Sequence, residues 1–140
     1  MSLFSVMNTA STALAAQSLR LNTTASNLAN ANTTSSSINT TYRSRQPVFA
    51  PLFDELSDSG DDAAIGVEVQ GIVESQAPLR REYQPGNPMA DGDGYVFMSN
   101  VNVIEEMANM ISASRSYQTN IEIMDASKQM LTRTLAIGQQ

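Results

Sequence analysis

The stretch of sequence that decides the fold runs from residue 101 to residue 137 and reads VNVIEEMANMISASRSYQTNIEIMDASKQMLTRTLAI. It contains no glycine or proline, and its side chains form two seven-residue series. The first series is Val103, Met110, Tyr117, Met124 and Leu131, and the second is Met107, Ser114, Ile121, Lys128 and Leu135. Two rows spaced three and four residues apart predict one continuous seam on a helix. A straight helix of about 36 residues is about 54 Å long, which exceeds what a small globule buries.

A second helix is predicted at the start of the chain, because residues 1–46 contain neither glycine nor proline. Its apolar row is Met7, Leu14, Leu21 and Leu28, and its companion row is Leu3, Ala10, Gln17, Thr24 and Ala31. Because the companion row is small or polar, the pattern fits two interpretations: a surface helix of a globular domain, or a coiled-coil strand that other helices approach closely. The Asn, Ser and Thr side chains of residues 30–42 compete for backbone hydrogen bonds, so the helix is expected to end there.

The middle of the chain, residues 43–101, has a different composition and holds all five prolines and six of the seven glycines. Apolar and mostly polar residues alternate over Ile65–Val73, which predicts a half-buried strand. A second extended stretch near Pro78–Tyr83 is a candidate partner for that strand. The acidic stretch Asp54–Asp62 is interpreted as a solvated loop rather than as a metal site.

We therefore expect a mainly α fold in which helices near residues 3–31 and 102–137 pair antiparallel as a coiled coil. The expected divisions are residues 1–42, 43–101 and 102–140, with a small β-containing segment in the middle. The four Leu and Met side chains of the first helix contribute about 6–12 kcal/mol when buried. Ordering about 25 residues costs about as much or more. The first helix therefore needs partners.

Composition excludes several classes of function. With 14 acidic and 8 basic residues, the chain has a net charge of −6 and lacks the basic surface of a nucleic-acid binder. It contains no cysteine and no histidine, which removes thiolate chemistry, the commonest general base and most zinc sites. An EF-hand loop starting at Asp91 fails because its twelfth position is Asn102 rather than glutamate. We therefore expect no enzymatic activity and no cofactor.

Targeting patterns are also missing from the sequence. The N-terminal residues lack the basic start and the unbroken apolar core of a signal peptide. No stretch approaches the 18 or so consecutive apolar residues of a membrane-spanning helix. We therefore expect neither a cleaved signal nor direct insertion into a membrane.

Two groups of motifs carry a resemblance to a known family. Residues 25–33, ASNLANANT, resemble the N-terminal signature of the bacterial flagellar axial proteins, which include rod, hook and hook-junction subunits. The downstream motifs, between Tyr83 and Gln118, are similar to those of the proximal-rod subunits. They include PGNP at residues 85–88, GYV at residues 94–96, NVNV at residues 100–103 and MISASRSYQ at residues 110–118.

The resemblance implies a structural subunit of the rod that joins the flagellar motor to the hook. In that family the terminal helices form an inner domain around a central export channel, and the middle segment lies outside. The implied partners are copies of the chain itself, other proximal and distal rod subunits, the rod-to-export-gate adaptor and the flagellar type III export apparatus. The implied location is the basal-body rod, which spans the periplasm. The alternatives are another flagellar axial subunit, or a soluble helical adaptor or chaperone-like binding module.

The residues expected to form the assembly interface come from the helical rows and from the signature motif. Asn27 and Asn30 are three residues apart and share a helical face, so their amides are candidates for setting register between subunits. The predicted interface residues are Leu14, Leu21, Asn27, Leu28, Asn30, Met107, Met110, Tyr117, Ile121, Met124, Leu131 and Leu135.

Overall fold

A computed structural model describes residues 3–53 and 64–137 of the chain. The elements, in chain order, are α1 (Leu3–Ala29), β1 (Thr34–Ser35), β2 (Arg45–Phe53), β3 (Ala64–Glu74), β4 (Arg80–Tyr83), β5 (Tyr95–Met98) and α2 (Val103–Ile137). The predicted acidic loop Asp54–Asp62 lies outside the described residues.

The expectation of a mainly α coiled-coil fold is wrong. Over the residues that the structure describes, it is 50% helical and 23% strand, with two helices and two separate sheets. The strand content was underestimated because β2 carries Pro47 and Pro51, which weaken a strand pattern, and because β4 and β5 have only four residues each. Short strands of this kind have too few residues to show a clear alternation.

Both predicted helices are confirmed, with bounds close to those expected. At the start of α2, the Asn102 Oδ1 atom accepts a hydrogen bond from the backbone N–H of Ile104 at 3.1 Å. Glu105 and Glu106 lie in the first turn, where the helix dipole favours acidic groups. At the end of α1, the side-chain amide of Asn30 donates to the backbone oxygen of Ser26 at 2.8 Å, which satisfies one of the last carbonyls of the helix.

The strand predicted over Ile65–Val73 is confirmed as part of β3, but its partner differs from the prediction. β3 pairs with β2 in a two-stranded sheet. The stretch near Pro78–Tyr83 contributes β4, which instead pairs antiparallel with β5 in a sheet of order β1-β5-β4. The physical reason is the turn that follows β4. It reverses the direction of the chain, so that β5 runs antiparallel beside β4.

That turn is held by Asp91 and Gly94. The Asp91 carboxylate accepts hydrogen bonds from the backbone N–H groups of Tyr95 at 2.8 Å and Asp93 at 3.0 Å. Gly94 has a φ of 81°, and a Cβ there would lie 2.9 Å from the ring of Tyr83. A glycine is therefore required both by the left-handed backbone and by the packing of the tyrosine.

The chain divides into two compact units. The first unit contains Met1–Leu19, Val48–Gly71 and Ser112–Gln140, and the second contains Arg20–Pro47 and Ile72–Ile111. Each helix contributes one part to each unit, so the divisions at residues 42 and 101 stay predictions. Among the described residues of the first unit, the buried side chains are small, for example Ala10, Ala16 and Ala113. Over the described parts of both helices, no segment combines the length and the apolar character needed to cross a lipid bilayer.

Candidate assembly site

The interface residues predicted on α2 differ in exposure. Met110, Tyr117, Met124 and Leu131 are half-buried. The other predicted interface residues of this helix lie in solvent: Met107 is 53% exposed, Ile121 39% and Leu135 67%.

The side chains that α2 buries most deeply belong to a row that the sequence analysis missed. Glu106, Ala113 and Ser127 are buried, and Asn120, in the same seven-residue series, is half-buried. Each member of this row lies one residue before a member of the second predicted series of α2, as Glu106 lies before Met107. It was missed because its members are charged, small or polar, and the signal that would have found it is the seven-residue spacing itself. Small side chains at these positions let neighbouring backbone approach the helix closely.

Helix α1 shows the same preference for small interior side chains. Its predicted leucines, Leu14, Leu21 and Leu28, are only half-buried. The companion row is more deeply buried, at Ala10, Thr24 and Ala31. In both helices, therefore, the buried positions carry small or polar side chains. The larger apolar side chains are half-buried or exposed.

Asn27 is the centre of a buried polar cluster in the second unit, with 1% of its surface exposed. Its amide nitrogen donates to the backbone oxygen of Arg45 at 2.8 Å, to Glu106 Oε1 at 3.0 Å and to Ser44 Oγ at 3.4 Å. Its amide oxygen accepts from the Tyr42 hydroxyl and from the backbone N–H of Arg45, both at 2.9 Å. A single side chain near the end of α1 is thus hydrogen-bonded to β2, to the segment that precedes β2 and to the first turn of α2.

A second layer of hydrogen bonds extends this cluster. The backbone N–H of Ser44 donates to Asn100 Oδ1 at 2.7 Å, and the Asn100 amide donates to the backbone oxygen of Ala77 at 3.0 Å. The Arg43 guanidinium donates to the backbone oxygen of Ser75 at 3.2 Å. The backbone N–H of Ser75 in turn donates to the backbone oxygen of Ser44 at 2.8 Å. The polar side chains therefore satisfy backbone groups that no strand partner reaches.

Charged groups of the cluster lie around Tyr42. Burial raises the pKa of the Tyr42 phenol above its ordinary value, the nearby Arg45 opposes that change, and Glu106 and Glu74 add to it. Arg45 lies 5.3 Å from the centre of the Tyr42 ring and forms a salt bridge of 3.0 Å with Glu74. The salt bridge is about half exposed, so it adds little to stability.

Asn30, the other predicted amide, is half-buried at the end of α1. Its side-chain amide donates to the backbone oxygen of Ser26, one turn earlier in the chain. The structure therefore separates the two asparagines: Asn27 joins distant segments, whereas Asn30 caps its own helix.

The arrangement has the chemistry of a structural site. Among the described residues, no group of three acidic, His or Cys side chains could hold a metal ion. The Asn27 cluster uses its polar atoms on backbone and side-chain partners of the same chain, which is the pattern of a buried network that fixes one fold.

Comparison with known proteins gives the class first. The family model described as flagella basal body rod protein matches residues 7–35, and the model described as flagellar basal body rod FlgEFG protein C-terminal matches residues 93–137. The first match covers most of α1 together with β1, and the second covers β5 and the whole of α2. The class they define is that of flagellar basal-body rod proteins.

Relatives over the full length give the particular family. The flagellar basal-body rod protein FlgC of Salmonella typhimurium is 48% identical over 139 residues, covering 99% of this chain and 100% of the relative. The FlgC of Yersinia enterocolitica is 45% identical over 139 residues, with the same coverage. The FlgC of Borreliella burgdorferi is 39% identical over 151 residues, covering 99% of each chain. The chain belongs to the FlgC family of flagellar basal-body rod proteins.

Membership confirms the resemblance found in the sequence. The protein is a structural subunit of the basal-body rod, and its place is the flagellar basal body. The family is one of structural proteins rather than of known enzymes.

Proposed function

We propose that this rod subunit assembles helically around the export channel and transmits motor torque through contacts made by the exposed apolar side chains of α2. In this proposal the contacts are to copies of the same chain and to neighbouring rod proteins. The subunit carries out no catalysis. Family membership argues against the alternative of a soluble helical adaptor.

One observation carries the proposal, namely the number of large apolar side chains that α2 leaves in solvent. Monomeric soluble proteins rarely expose many large apolar side chains together. Where they do, the surface usually binds a partner. The exposed side chains are Val103, Ile104, Met107, Ile111, Ile121, Ile123, Met130, Leu135 and Ile137.

The strongest candidates for subunit contact lie near the start of α2. Ile104 is 80% exposed, and Met107 and Ile111 follow it at spacings of three and four residues, so the three side chains share one helical face. Two further residues of the predicted interface, Ile121 and Leu135, are also exposed and lie further along α2. The half-buried residues Leu14, Leu21, Leu28, Met110, Tyr117, Met124 and Leu131 are proposed to border these contacts.

Asn27 and Asn30 are proposed to act on assembly indirectly. Asn27 positions the start of α2, where Ile104 and Met107 lie, through its hydrogen bond to Glu106. Asn30 fixes the end of α1 through Ser26. Their contribution to register would then come from the shape of the second unit.

The finer partners follow from the resemblance of the sequence motifs to those of proximal-rod subunits. We propose a position in the proximal rod, with other proximal and distal rod subunits and the rod-to-export-gate adaptor as neighbours. Delivery is proposed to occur through the flagellar type III export apparatus.

The test is to place single charges on α2 in cells that lack their own copy of this subunit. Met107→Glu and Ile111→Glu are expected to abolish rod assembly and motility while secretion of the subunit continues. Thr119→Glu is the matched control, because residue 119 is exposed and lies about 120° around the helix from residue 107. Each purified variant should keep its unfolding free energy within about 0.5 kcal/mol. Normal rods in the Met107→Glu, Ile111→Glu double variant would refute the proposed surface.

A further inference from the structure

A groove lies in the second unit, between the segment that precedes β4 and the segment that leads into α2. Its volume is about 610 Å³. Pro78, Val103 and Ile104 form an apolar wall, and Arg80 and Asn102 add polar groups to the lining. All five side chains are exposed, with Ile104 at 80%, so the groove is open to solvent.

Arg80 gives this groove a positive charge. Among the described residues, no carboxylate lies within salt-bridge distance of Arg80, whereas the neighbouring Arg81 is paired with Asp91 at 3.2 Å. No acidic side chain belongs to the described lining of the groove. A complementary occupant therefore presents an apolar side chain together with a carboxylate.

The loop between β4 and β5, residues 84–94, presents this combination. Met89 is 45% exposed, and the exposed Asp93 carboxylate has no basic partner among the described residues. Hydrogen bonds hold the loop in one conformation around Asn87. Its Oδ1 atom accepts from the backbone N–H of Met89 at 3.0 Å, and its backbone oxygen accepts from the N–H of Ala90 at 2.9 Å. A loop that is ordered in advance loses less conformational entropy when it binds.

The groove and the loop lie at opposite ends of the β4–β5 hairpin. In the register of the two strands, Arg80 faces Met98 at the end near the groove, and Tyr83 faces Tyr95 at the end where the loop begins. None of the loop residues lines the groove. A contact between them would therefore join two different surfaces of two copies. Contacts of this heterologous kind repeat into an open helical row unless the rotation closes a ring.

We infer that the groove of one copy binds the β4–β5 loop of a second copy of this chain. Met89 packs on the apolar wall at Ile104, and Asp93 pairs with Arg80. The inference rests on the proposed function, because Ile104 belongs both to the groove and to the proposed contact surface of α2. It adds the identity of the partner segment and a direction to the contact between copies.

The first test exchanges the two charges in cells that lack their own copy of this subunit. Arg80→Glu and Asp93→Arg are each expected to abolish rods in isolated basal bodies while secretion of the subunit continues. Together, the two substitutions restore an oppositely charged pair, so rods should return. Glu82→Arg is the matched control, since residue 82 is exposed and lies outside both the groove and the loop. It should not restore rods in the Arg80→Glu background.

The second test uses the absence of cysteine from the chain. Copies with Met89→Cys and copies with Ile104→Cys carry different tags and are made in the same cells. Each copy then has one thiol, so every disulfide joins two copies. Oxidation of isolated rods should give a dimer with both tags. Ile38→Cys, at another exposed apolar residue of the second unit, replaces Met89→Cys as the control and should give no such dimer.

The inference is overturned if the dimer with both tags is missing or is equally abundant with Ile38→Cys. It is also overturned if Arg80→Glu leaves rods normal, or if Asp93→Arg does not restore them. Met107 and Ile111 do not line the groove, so their glutamate variants test the proposed contact surface separately. Failure of the groove contact and failure of the proposed function therefore give different results.

Discussion

Thr12 on α1 and Gly66 on β3 approach so closely that a Cβ on Gly66 would lie 2.6 Å from Thr12 Oγ1. The same Oγ1 accepts the hydrogen bond of the Val67 backbone N–H at 3.2 Å and donates to the backbone oxygen of Thr9 at 2.9 Å. Within the first unit, helix and strand therefore meet through backbone and one hydroxyl, with no room for a side chain on the strand.

Gly66→Ala should destabilise the first unit by about 1–3 kcal/mol, because the added methyl group forces helix and strand apart. Gly71→Ala is the control, since nothing lies within 4 Å of a Cβ at that position. Chemical unfolding of both variants measures the difference. Equal stabilities would show that Thr12 moves aside without cost.

Glu106→Ala should cost about 1–3 kcal/mol, because it leaves the buried amide of Asn27 without one acceptor. In an Asn27→Ala background the same change should cost less, giving a coupling energy of about 0.5–3 kcal/mol in a double-mutant cycle. Glu105→Ala, at the exposed neighbouring position, serves as the control. Additive effects would indicate that the 3.0 Å hydrogen bond contributes nothing measurable.

Asn102→Ala should destabilise α2 by about 0.5–2 kcal/mol through loss of the bond from Asn102 to Ile104. Asn102→Ser keeps an oxygen that can cap the helix and should retain most of the stability. Circular dichroism during urea unfolding compares the two variants. The cap has no role if both variants unfold at the same urea concentration.

The turn between β4 and β5 should loosen in acid. Hydrogen bonds from the Tyr95 and Asp93 backbone and the nearby Arg81 hold the pKa of Asp91 below its ordinary value of 3.8. Because the folded pKa is the lower one, this stabilisation is fully present above the ordinary value and is lost as the pH falls through the folded value. The protection of the Tyr95 amide, measured as its exchange rate relative to the intrinsic rate, should therefore fall in that range.

Asp91→Asn is the control for the acid effect, since an asparagine cannot titrate there. Its Tyr95 exchange should follow only the intrinsic pH dependence of amide exchange. The prediction fails if wild type and Asp91→Asn show the same pH profile for that amide.

The sequence was sufficient for the helices because their information is local. Long stretches without Gly or Pro, a seven-residue period and the cap at Asn102 all act within a few turns, so both helices were found with nearly correct bounds. The strand Ile65–Val73 was found for the same reason, by its alternation. The mainly α fold class was wrong because short or proline-containing strands depend on partners that lie far away along the chain.

The polar cluster could not be predicted in the same way. Asn27 bonds to Arg45 and Glu106, which lie 18 and 79 residues away, and no periodic pattern links these positions. The signature ASNLANANT drew attention to Asn27 and indicated that an amide mattered there. Only the three-dimensional arrangement shows that its hydrogen bonds reach the edge of β2 and the first turn of α2.

The exposed apolar surface of α2 also has a redox consequence, because two of its members are thioethers. Met107 and Met130 are 53% and 49% exposed, so both side chains are open to oxidation by peroxide in the free subunit. Conversion to the sulfoxide turns an apolar side chain into a polar one. Subunit contacts on this surface would cover the same atoms. The ratio of sulfoxide to thioether at these two positions would then show whether the subunits were exposed to the oxidant before or after they entered the rod.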